Sequence, residues 1–593
     1  MKLIIVESPS KATTIQKYLG DEYHVMASMG HICDLAKGGK YGIGINVNDD
    51  FKPYYVLMKD KISLLDEMIA AAEKSDEILL FSDGDREGES IASHIKKYLV
   101  STGKPIKRGR FNEITKSAIL KAIKNADDID LNLVKAQEAR RALDRIVGFM
   151  VSPYLINNYG SNLSAGRVQS VAVRMIADRE KEIDSFKPEE FWNISVKFKS
   201  PTNIEFTTKL QGAKITNKAA ADLMIGNIKD QEFYVASVIS SKKKEKPPAP
   251  LTTSTLQQYM AKKFSFEPDR TMSAAQSLYE SGFCTYIRTD STRISDEAVD
   301  DVRSWITDNK LDLPKKPNAY ETKASAQDAH ECIRPTNVKT LPNSSILSGD
   351  DKEVYAVIWQ HFVACQMNPA IWNTLQVNIK SKQGLTFTTS GKALEYKGYL
   401  EIFGSIDIGK IEIPNLQEND ILTLSDKNPI KADQKFTQPL PRFNNASIIK
   451  ELEDKQIGRP ATYAEIIKKI TARNYVEKSG NNYKPTDIGK KITTILVNLF
   501  PFMDYKYTQR MEEQLDDIAA GKIDYVSMLN EFFIPFKAKL DAAYVSSGST
   551  ICAKCGGIMM TRSNPKDQTT FSGCNNYPRC RYTSNTIQSE SRV

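Results

Sequence analysis

The sequence predicts a multidomain chain that combines an α/β domain, helical domains and a strand-rich domain, with a small metal-bound module at the C-terminus. Three observations predict it. Two apolar runs, residues 2–6 and 78–81, each end in carboxylates: Glu7 after the first, and Asp83, Asp85 and Glu87 after the second. Beyond about residue 126 the hydrophobic period switches between helical and strand spacing, over more of the 593 residues than one core occupies. Four of the eight cysteines stand together in the tail.

The first strand, Lys2-Leu3-Ile4-Ile5-Val6, runs into Glu7-Ser8-Pro9-Ser10-Lys11-Ala12. Residues 78–81 run into Ser82-Asp83-Gly84-Asp85-Arg86-Glu87-Gly88-Glu89. Parallel strands that deliver carboxylates at their C-terminal ends fit the rule that open α/β sheets carry their sites there. Gly84 and Gly88 permit a tight turn, and residues 90–99 read as a helix. Asp83, Asp85 and Glu87 are spaced i, i+2, i+4 and repel one another unless a cation sits among them. Hard oxygen ligands suit Mg²⁺, which keeps its waters for a phosphate substrate. A solvated acidic turn carries the same spacing; Glu7 at the end of a second strand is what favours a site.

The words VESPSKA at 6–12 and SDGDREGE at 82–89 resemble the TOPRIM domain, which is Rossmann-like, and in particular the bacterial topoisomerase I branch of the type IA DNA topoisomerases. On this resemblance residues 1–127 are a TOPRIM domain, with a glycine-rich segment near 36–60 packing on a helical domain. GHICDL at 30–35 resembles the family's GHxxDL and makes His31 a DNA contact, although a lone histidine is more often structural.

From 126 to 182 the pattern is helical. Gln137, Arg141 and Arg145 fall on one face at i, i+4, i+8, as a solvated basic stripe also would. LSAGRVQS at 163–170 is nearly identical to a family word, with Ser164 in an N-cap region and Arg167 beside a helix N-terminus that suits a phosphate. The resemblance makes Arg140, Arg141, Arg145, Ser164, Arg167, Gln169 and Ser170 DNA contacts. Residues 128–186 and 437–545 would then form one helical DNA-binding domain. In its second part IGRPATY at 457–463 resembles IGRPSTY, with Ala461 replacing Ser, and adds Arg459 and Thr462. RMEEQLD at 510–516 resembles a helix we read as structural.

Residues 187–248 lose helical periodicity, and 240–250 read as a basic, Pro-rich linker. Asn193-Ile194-Ser195-Val196-Lys197-Phe198 and Leu375-Gln376-Val377-Asn378-Ile379 read as strands. Residues 187–250 and 371–436 would be one strand-rich hinge or arch, interrupted by a helical insert at 251–370; the resemblance implies a toroidal core built this way. In the insert TYIRTDS at 285–291 resembles TYxRTDS, in which the tyrosine is the nucleophile. Most of the 25 tyrosines are packing residues; the motif singles out Tyr286. AHECIRPT at 329–336 resembles AHExIRPT, with Cys332 where Ala is more usual.

The chemistry so implied is transesterification of single-stranded DNA. Tyr286 attacks a phosphodiester, giving a 5′-phosphotyrosine and a free 3′-hydroxyl, without ATP. Arg288 stabilises the developing charge, Lys11 neutralises the transition state, and Glu7 exchanges a proton with the 3′-oxygen. Glu7, Asp83, Asp85 and Glu87 hold Mg²⁺, while Asp290, His330 and Arg334 hold DNA. The expected outcome is relaxation of negatively supercoiled DNA.

In the tail, residues 551–593, Cys552-x₂-Cys555 and Cys574-x₅-Cys580 are two knuckles suited to tetrahedral Zn²⁺. Phe571, Tyr577 and Tyr582 interleave with Arg579 and Arg581, as stacking on single-stranded bases requires. A Ser/Gly linker at 546–550 separates this module from the core. The net charge of +8 permits nucleic acid as partner. The remaining four cysteines are scattered singly, as in a reducing compartment. No run of about 18 apolar residues exists, and no GxxxxGK[ST] phosphate loop. The expectation is a monomeric enzyme of the bacterial cytoplasm. Two other classes share parts of the pattern: a TOPRIM primase or nuclease shares the carboxylates but needs no TYIRTDS, and a single-strand-binding protein shares only the tail.

Overall fold

The structure, a computed structural model, describes residues 1–38, 40–160, 163–321, 331–404, 407–550, 552–555, 557–564, 569–574, 577 and 580–584. Four parallel strands open the chain, lying side by side in the order Tyr23–Ala27, Lys2–Val6, Glu77–Leu80, Ile106–Arg108. Leu3, Ile4, Ile5 and Val6 are all buried, without alternation, because helices and other bodies cover both faces of this sheet. The chain leaves Lys2–Val6 first to one side and later returns on the other. The switch point therefore falls between Lys2–Val6 and Glu77–Leu80, where Glu7 and Asp83 emerge.

The acidic turn is shaped by its own residues. Asp85 is the N-cap of helix Arg86–Leu99 and accepts from the Gly88 amide at 2.9 Å. Gly88 is required: a Cβ there would stand 2.2 Å from the Asp83 carbonyl oxygen.

One face of the sheet, with Leu3, Ile5, Ile78 and Leu80, has a core of its own with Ile91 and Ile95. The other face, with Ile4, Val6, Leu79 and Phe81, shares a core with the helices Thr253–Phe264, Pro268–Glu280 and Gly349–Cys365 and with Tyr286. A further core gathers helices Leu131–Tyr159, Gln169–Ser185, Asn445–Asp454, Tyr463–Ala472, Asp487–Leu499, Tyr505–Ala519 and Tyr525–Ser546. The glycine-rich segment adds Ile43, Ile45 and Phe51 to it, and the Tyr525 hydroxyl donates to the Phe51 carbonyl at 2.9 Å.

An antiparallel sheet of seven strands draws on both sides of the helical insert: Phe233–Glu245 pairs with Ala370–Ser381. Glu205–Gln211 pairs with both Thr386–Tyr396 and Glu190–Lys199, so the sheet closes on itself.

Four expectations need correcting. Residues 240–245 are strand rather than linker: Ser240 pairs with Leu375 and Glu245 with Ala370. That stretch is paired along one edge and its lysines face water, which explains its linker-like composition. Helix Lys218–Lys229 lies within the stretch without helical periodicity, because it buries only Ala221 and Ile228. Ser164 caps no helix; Gln169–Ser185 follows Val168 without a side-chain cap, and the Ser164 amide donates to the Tyr475 hydroxyl at 2.8 Å. The tail is not isolated by its linker, since Ile558 is buried in the helical core and Met560 packs on it. No helix among the described residues is long and apolar enough to cross a membrane.

Candidate active site

The chemistry begins where the two central strands end. Asp83 donates its amide to Glu7 Oε1 at 3.0 Å. Lys11, fully buried, donates from Nζ to Asp83 Oδ1 at 2.5 Å and to Glu7 Oε2 at 3.4 Å. Its position follows from the helix Pro9–Leu19, which Ser8 caps and Pro9 starts, so that Lys11 lies one turn from Glu7. Buried Arg108 donates to the Asp83 carbonyl at 2.6 Å and to Glu89 at 3.0 Å, fixing the turn from beneath. Burial and the negative charges of Asp83 and Asp85 push the Glu7 carboxyl up to about 7, although Lys11 opposes them. Such crowding of carboxylates is relieved by a cation.

The TYIRTDS loop closes over this turn. The Tyr286 amide donates to the Asn112 carbonyl at 2.7 Å, and its phenol donates to Asp85 Oδ2 at 2.6 Å. Arg288 Nη1 lies 3.3 Å from the same oxygen. Tyr286 is only 4% exposed. Burial, then the charges of Asp85 and Asp83, raise its phenol well above the ordinary value, while Arg288 pulls the other way. The closed site therefore keeps the phenol protonated. Tyr279, which no motif singles out, donates to Asp83 Oδ1 at 3.1 Å, and its ring meets Tyr286 edge-on at 5.3 Å. In the sequence it reads as one more aromatic on a packing face.

Glu87 completes the set apart from the others. His31 Nε2 lies 2.6 Å from Glu87 Oε1, and Gln137 donates to Oε2 at 3.3 Å. Burial would raise the Glu87 carboxyl, but these two partners hold it below its ordinary value. Each member of the acidic triad thus has a partner of its own. Among the described residues these carboxylates do not form a tight cluster. Mg²⁺ binds through one or two carboxylates and keeps its waters, so the turn fits the ion without drawing all four acids together.

Five of the arginines expected on DNA, Arg141, Arg145, Arg167, Arg334 and Arg459, are paired with acids in this structure. Arg141 Nη2 and Arg145 Nη2 lie 2.6 and 3.1 Å from Asp34 Oδ1. Arg167 is buried, with Nη1 2.5 Å from Glu512 Oε1 and Nε 3.3 Å from Asp144. Burial raises the Glu512 carboxyl, but Arg167, Arg140 and Arg459 outweigh it and hold it at about 2. Arg459 shares Asp516 with Arg86. Arg334 pairs with Glu331 at 2.8 Å and Glu113 at 3.0 Å. Thr462 Oγ1 accepts from the Arg459 amide, Ser170 Oγ from the Gly166 amide, and the Gln169 side chain covers Gly166. Asp290 and Arg459 line a cavity of about 240 Å³ with Thr252 and Tyr463. The acid partners Asp34 and Asp516 lie inside the quoted words GHICDL and RMEEQLD, but nothing in one sequence pairs them with distant arginines. His330 and Arg579 lie outside the described residues.

In the tail, Cys555 Sγ and Cys574 Sγ are 3.4 Å apart, and Cys552 Sγ and Cys580 Sγ 3.7 Å. All four sulfurs lie within 4.8 Å of one another. A tetrahedron with Zn–S of about 2.3 Å has edges of about 3.8 Å, so the cluster fits Zn²⁺. Phe571 is half-buried on this ribbon, whereas Tyr577 and Tyr582 are exposed.

Comparison with known proteins agrees with this geometry. Residues 2–114 match the Toprim domain, residues 128–530 the DNA topoisomerase family, and residues 549–589 the topoisomerase DNA binding C4 zinc finger. The chain is 39% identical over 616 residues to DNA topoisomerase 1 of Campylobacter jejuni, covering 100% of this chain and 87% of that protein. It is similar to full-length topoisomerase I from Thermotoga maritima, with a TM-score of 0.81 and 33% identity over 99% of this chain and 98% of that one. The Toprim turn is a Mg²⁺ site and the C4 finger a Zn²⁺ site. Matched from its first strand to its last cysteine, the chain belongs to the bacterial topoisomerase I family of type IA DNA topoisomerases.

Proposed function

We propose that Tyr286 is the nucleophile with which this topoisomerase cuts one DNA strand, and that residues of the TOPRIM turn hold and reseal the other end. The observation that carries the reading is the Tyr286 phenol seated 2.6 Å from Asp85 Oδ2, across 201 residues of sequence. The attack forms a Tyr286 O–P bond and breaks the P–O3′ bond. The phenolic proton leaves toward Asp85, and Glu7 supplies a proton to the departing 3′-oxygen and recovers it on resealing. Arg288 stabilises the phenolate and the phosphoryl charge, and Lys11 stands ready to face the phosphate. Mg²⁺, when bound at these carboxylates, neutralises charge and positions the DNA ends. The phosphodiester energy is kept in the tyrosyl ester, so ATP is not needed.

Tyr286 is buried between two bodies, so a strand enters only when they part. Residues 251–370 would swing away from residues 1–127 on the arch of 187–250 and 371–436. Motion of this size takes microseconds or longer. Residues 128–186 and 437–545 would bind single-stranded DNA, with Arg140, Arg141, Arg145, Arg167 and Arg459 exchanging carboxylates for phosphates, and His31, Asp290, His330 and Arg334 close to the cut. The protein works on this reading as a monomer in the bacterial cytoplasm.

Attack on single strands needs melted duplex, which negative supercoiling supplies. Negatively supercoiled plasmid should relax with Mg²⁺ and without ATP, while positively supercoiled plasmid should resist unless it carries a single-stranded bulge. Equal rates on both plasmids would contradict the reading.

The tail grips DNA rather than cutting it. Residues 551–593 should bind one Zn²⁺ through Cys552, Cys555, Cys574 and Cys580. Stacking on Phe571, Tyr577 and Tyr582, with phosphates on Arg579 and Arg581, is worth about 1–3 kcal/mol per base. A protein ending at residue 546 should bind single strands more weakly and relax less processively, yet still cleave and religate an oligonucleotide. A folded truncation that cannot cleave would place the tail in the catalytic machinery.

A further inference from the structure

A large cavity lies away from the catalytic turn. It has a volume of about 670 Å³ and sits where the glycine-rich segment, helix Leu131–Tyr159, helix Tyr525–Ser546 and the zinc ribbon meet. Its volume falls within the roughly 300–1,000 Å³ of ordinary ligand sites. Four rings line it: Tyr41, Phe149, Tyr544 and Tyr577. Tyr41, Phe149 and Tyr577 each have a cation against the ring. Lys537 Nζ is 5.9 Å from the Tyr41 centroid, Arg145 Cζ 4.7 Å from that of Phe149, and Arg562 Cζ 5.8 Å from that of Tyr577. Lys37 adds a third positive charge to the wall, beside Lys537 and Arg562, whereas Asp541, ion-paired with Lys537, is the one acidic residue among the lining residues.

Two features separate this cavity from a gap left by loose docking. Phe149 and Tyr577 are 43% and 54% exposed, so large aromatic faces that could have been buried are kept open toward the same space. Tyr41 is held at φ 65°, ψ 5°, a left-handed conformation that a tyrosine adopts only when its surroundings demand it, and this aims its ring at the cavity. The helix that carries Phe149 also carries two of the arginines proposed to hold DNA. Arg141, Arg145, Phe149 and Ile156 lie on one face of their helix, within about 80° of one another at 100° per residue and over about 22 Å. Arg141 and Arg145 are the residues paired with Asp34, on the TOPRIM side.

The geometry points to a composite site for an unpaired nucleotide of a DNA strand, with the base stacked between body and ribbon and the phosphates on the ring of cations. This rests on the proposed handling of single-stranded DNA and adds to it a fixed holding point that neither the ribbon nor the body provides alone. Aromatic rings with interleaved cations are the chemistry that binds single strands without sequence preference.

The test is a double-mutant cycle on the full-length protein. Anisotropy of a 5′-fluorescein-labelled single-stranded oligonucleotide is followed for Phe149→Ala, Tyr577→Ala and the pair, at one fixed salt concentration. Each single change should weaken binding at least about five-fold. The double variant should bind within about two-fold of the weaker single one, because a base that has lost one wall has little left to lose. Losses that multiply, or no loss from Phe149→Ala, would overturn the composite site. Displacement of the strand by micromolar deoxyadenosine monophosphate would also overturn it, by making the cavity a free-nucleotide site. Covalent adduct formation by the unsubstituted protein is measured alongside; its absence would instead remove the topoisomerase reading, whatever the cycle shows.

Discussion

Tyr286→Phe is expected to abolish relaxation and the covalent protein–DNA adduct, with a loss on the order of 10⁴-fold or more, while single-strand binding stays within a few-fold of the unsubstituted protein. The substitution removes one oxygen. The ring remains packed against Tyr279, and Asp85 keeps Arg288 as a partner. One lost hydrogen bond is worth about 0.5–1.5 kcal/mol, too little to unfold the domain, so a normal melting curve should accompany the dead enzyme. Among the described residues the phenol of Tyr279 also reaches the acidic turn. Residual relaxation by Tyr286→Phe would move the nucleophile there.

The second large effect concerns the acidic turn. Asp83→Ala with Asp85→Ala should lose relaxation at ordinary Mg²⁺ concentrations. The pair removes two of the carboxylates at which the ion would sit. It also leaves buried Lys11 with Glu7 alone and strips Tyr286 and Arg288 of their shared acceptor. Breaking a buried ion pair costs about 3–5 kcal/mol, so thermal melts must be read beside activity. Asp83→Asn with Asp85→Asn preserves volume and hydrogen bonding, and should fold yet remain inactive. Full relaxation by either pair in excess chelator would end the metal assignment.

The parts of this molecule legible in the sequence are those where one stretch of chain carries the whole signal. The strand Lys2–Val6 and the turn Ser82-Asp83-Gly84-Asp85 announce themselves because burial on both faces removes alternation and the glycines and acids follow at once. The four cysteines do so because two knuckles fix a tetrahedron. What stayed hidden depends on partners far apart in sequence. Arg167 reads as a phosphate ligand and is found buried on Glu512, 345 residues away. Tyr279 reads as packing and donates to Asp83 across 196 residues. Ser164 fails as a cap because the helix starts only at Gln169, and the Ser164 hydroxyl lies 3.2 Å from that of Tyr475 instead. The arm at residues 240–245 looks like a linker because only one of its edges is paired and its lysines face water. The word TYIRTDS singles out Tyr286 but does not say which acid it meets; only the fold shows the phenol resting on Asp85 rather than on the Glu7–Lys11 pair.

The most direct test follows the label through one cleavage. A single-stranded oligonucleotide carrying a 3′-end label is incubated with the full-length protein and Mg²⁺ and quenched in SDS, and the adduct is digested and mapped. The same strand labelled at its 5′ end serves as the partner measurement. The mechanism requires the 3′ label to travel with the protein on the peptide containing Tyr286, and the 5′ label to appear on a shorter free strand ending in a 3′-hydroxyl. A 5′ label held by the protein, a phosphate attached to any residue other than Tyr286, or cleavage with no adduct at all would contradict it.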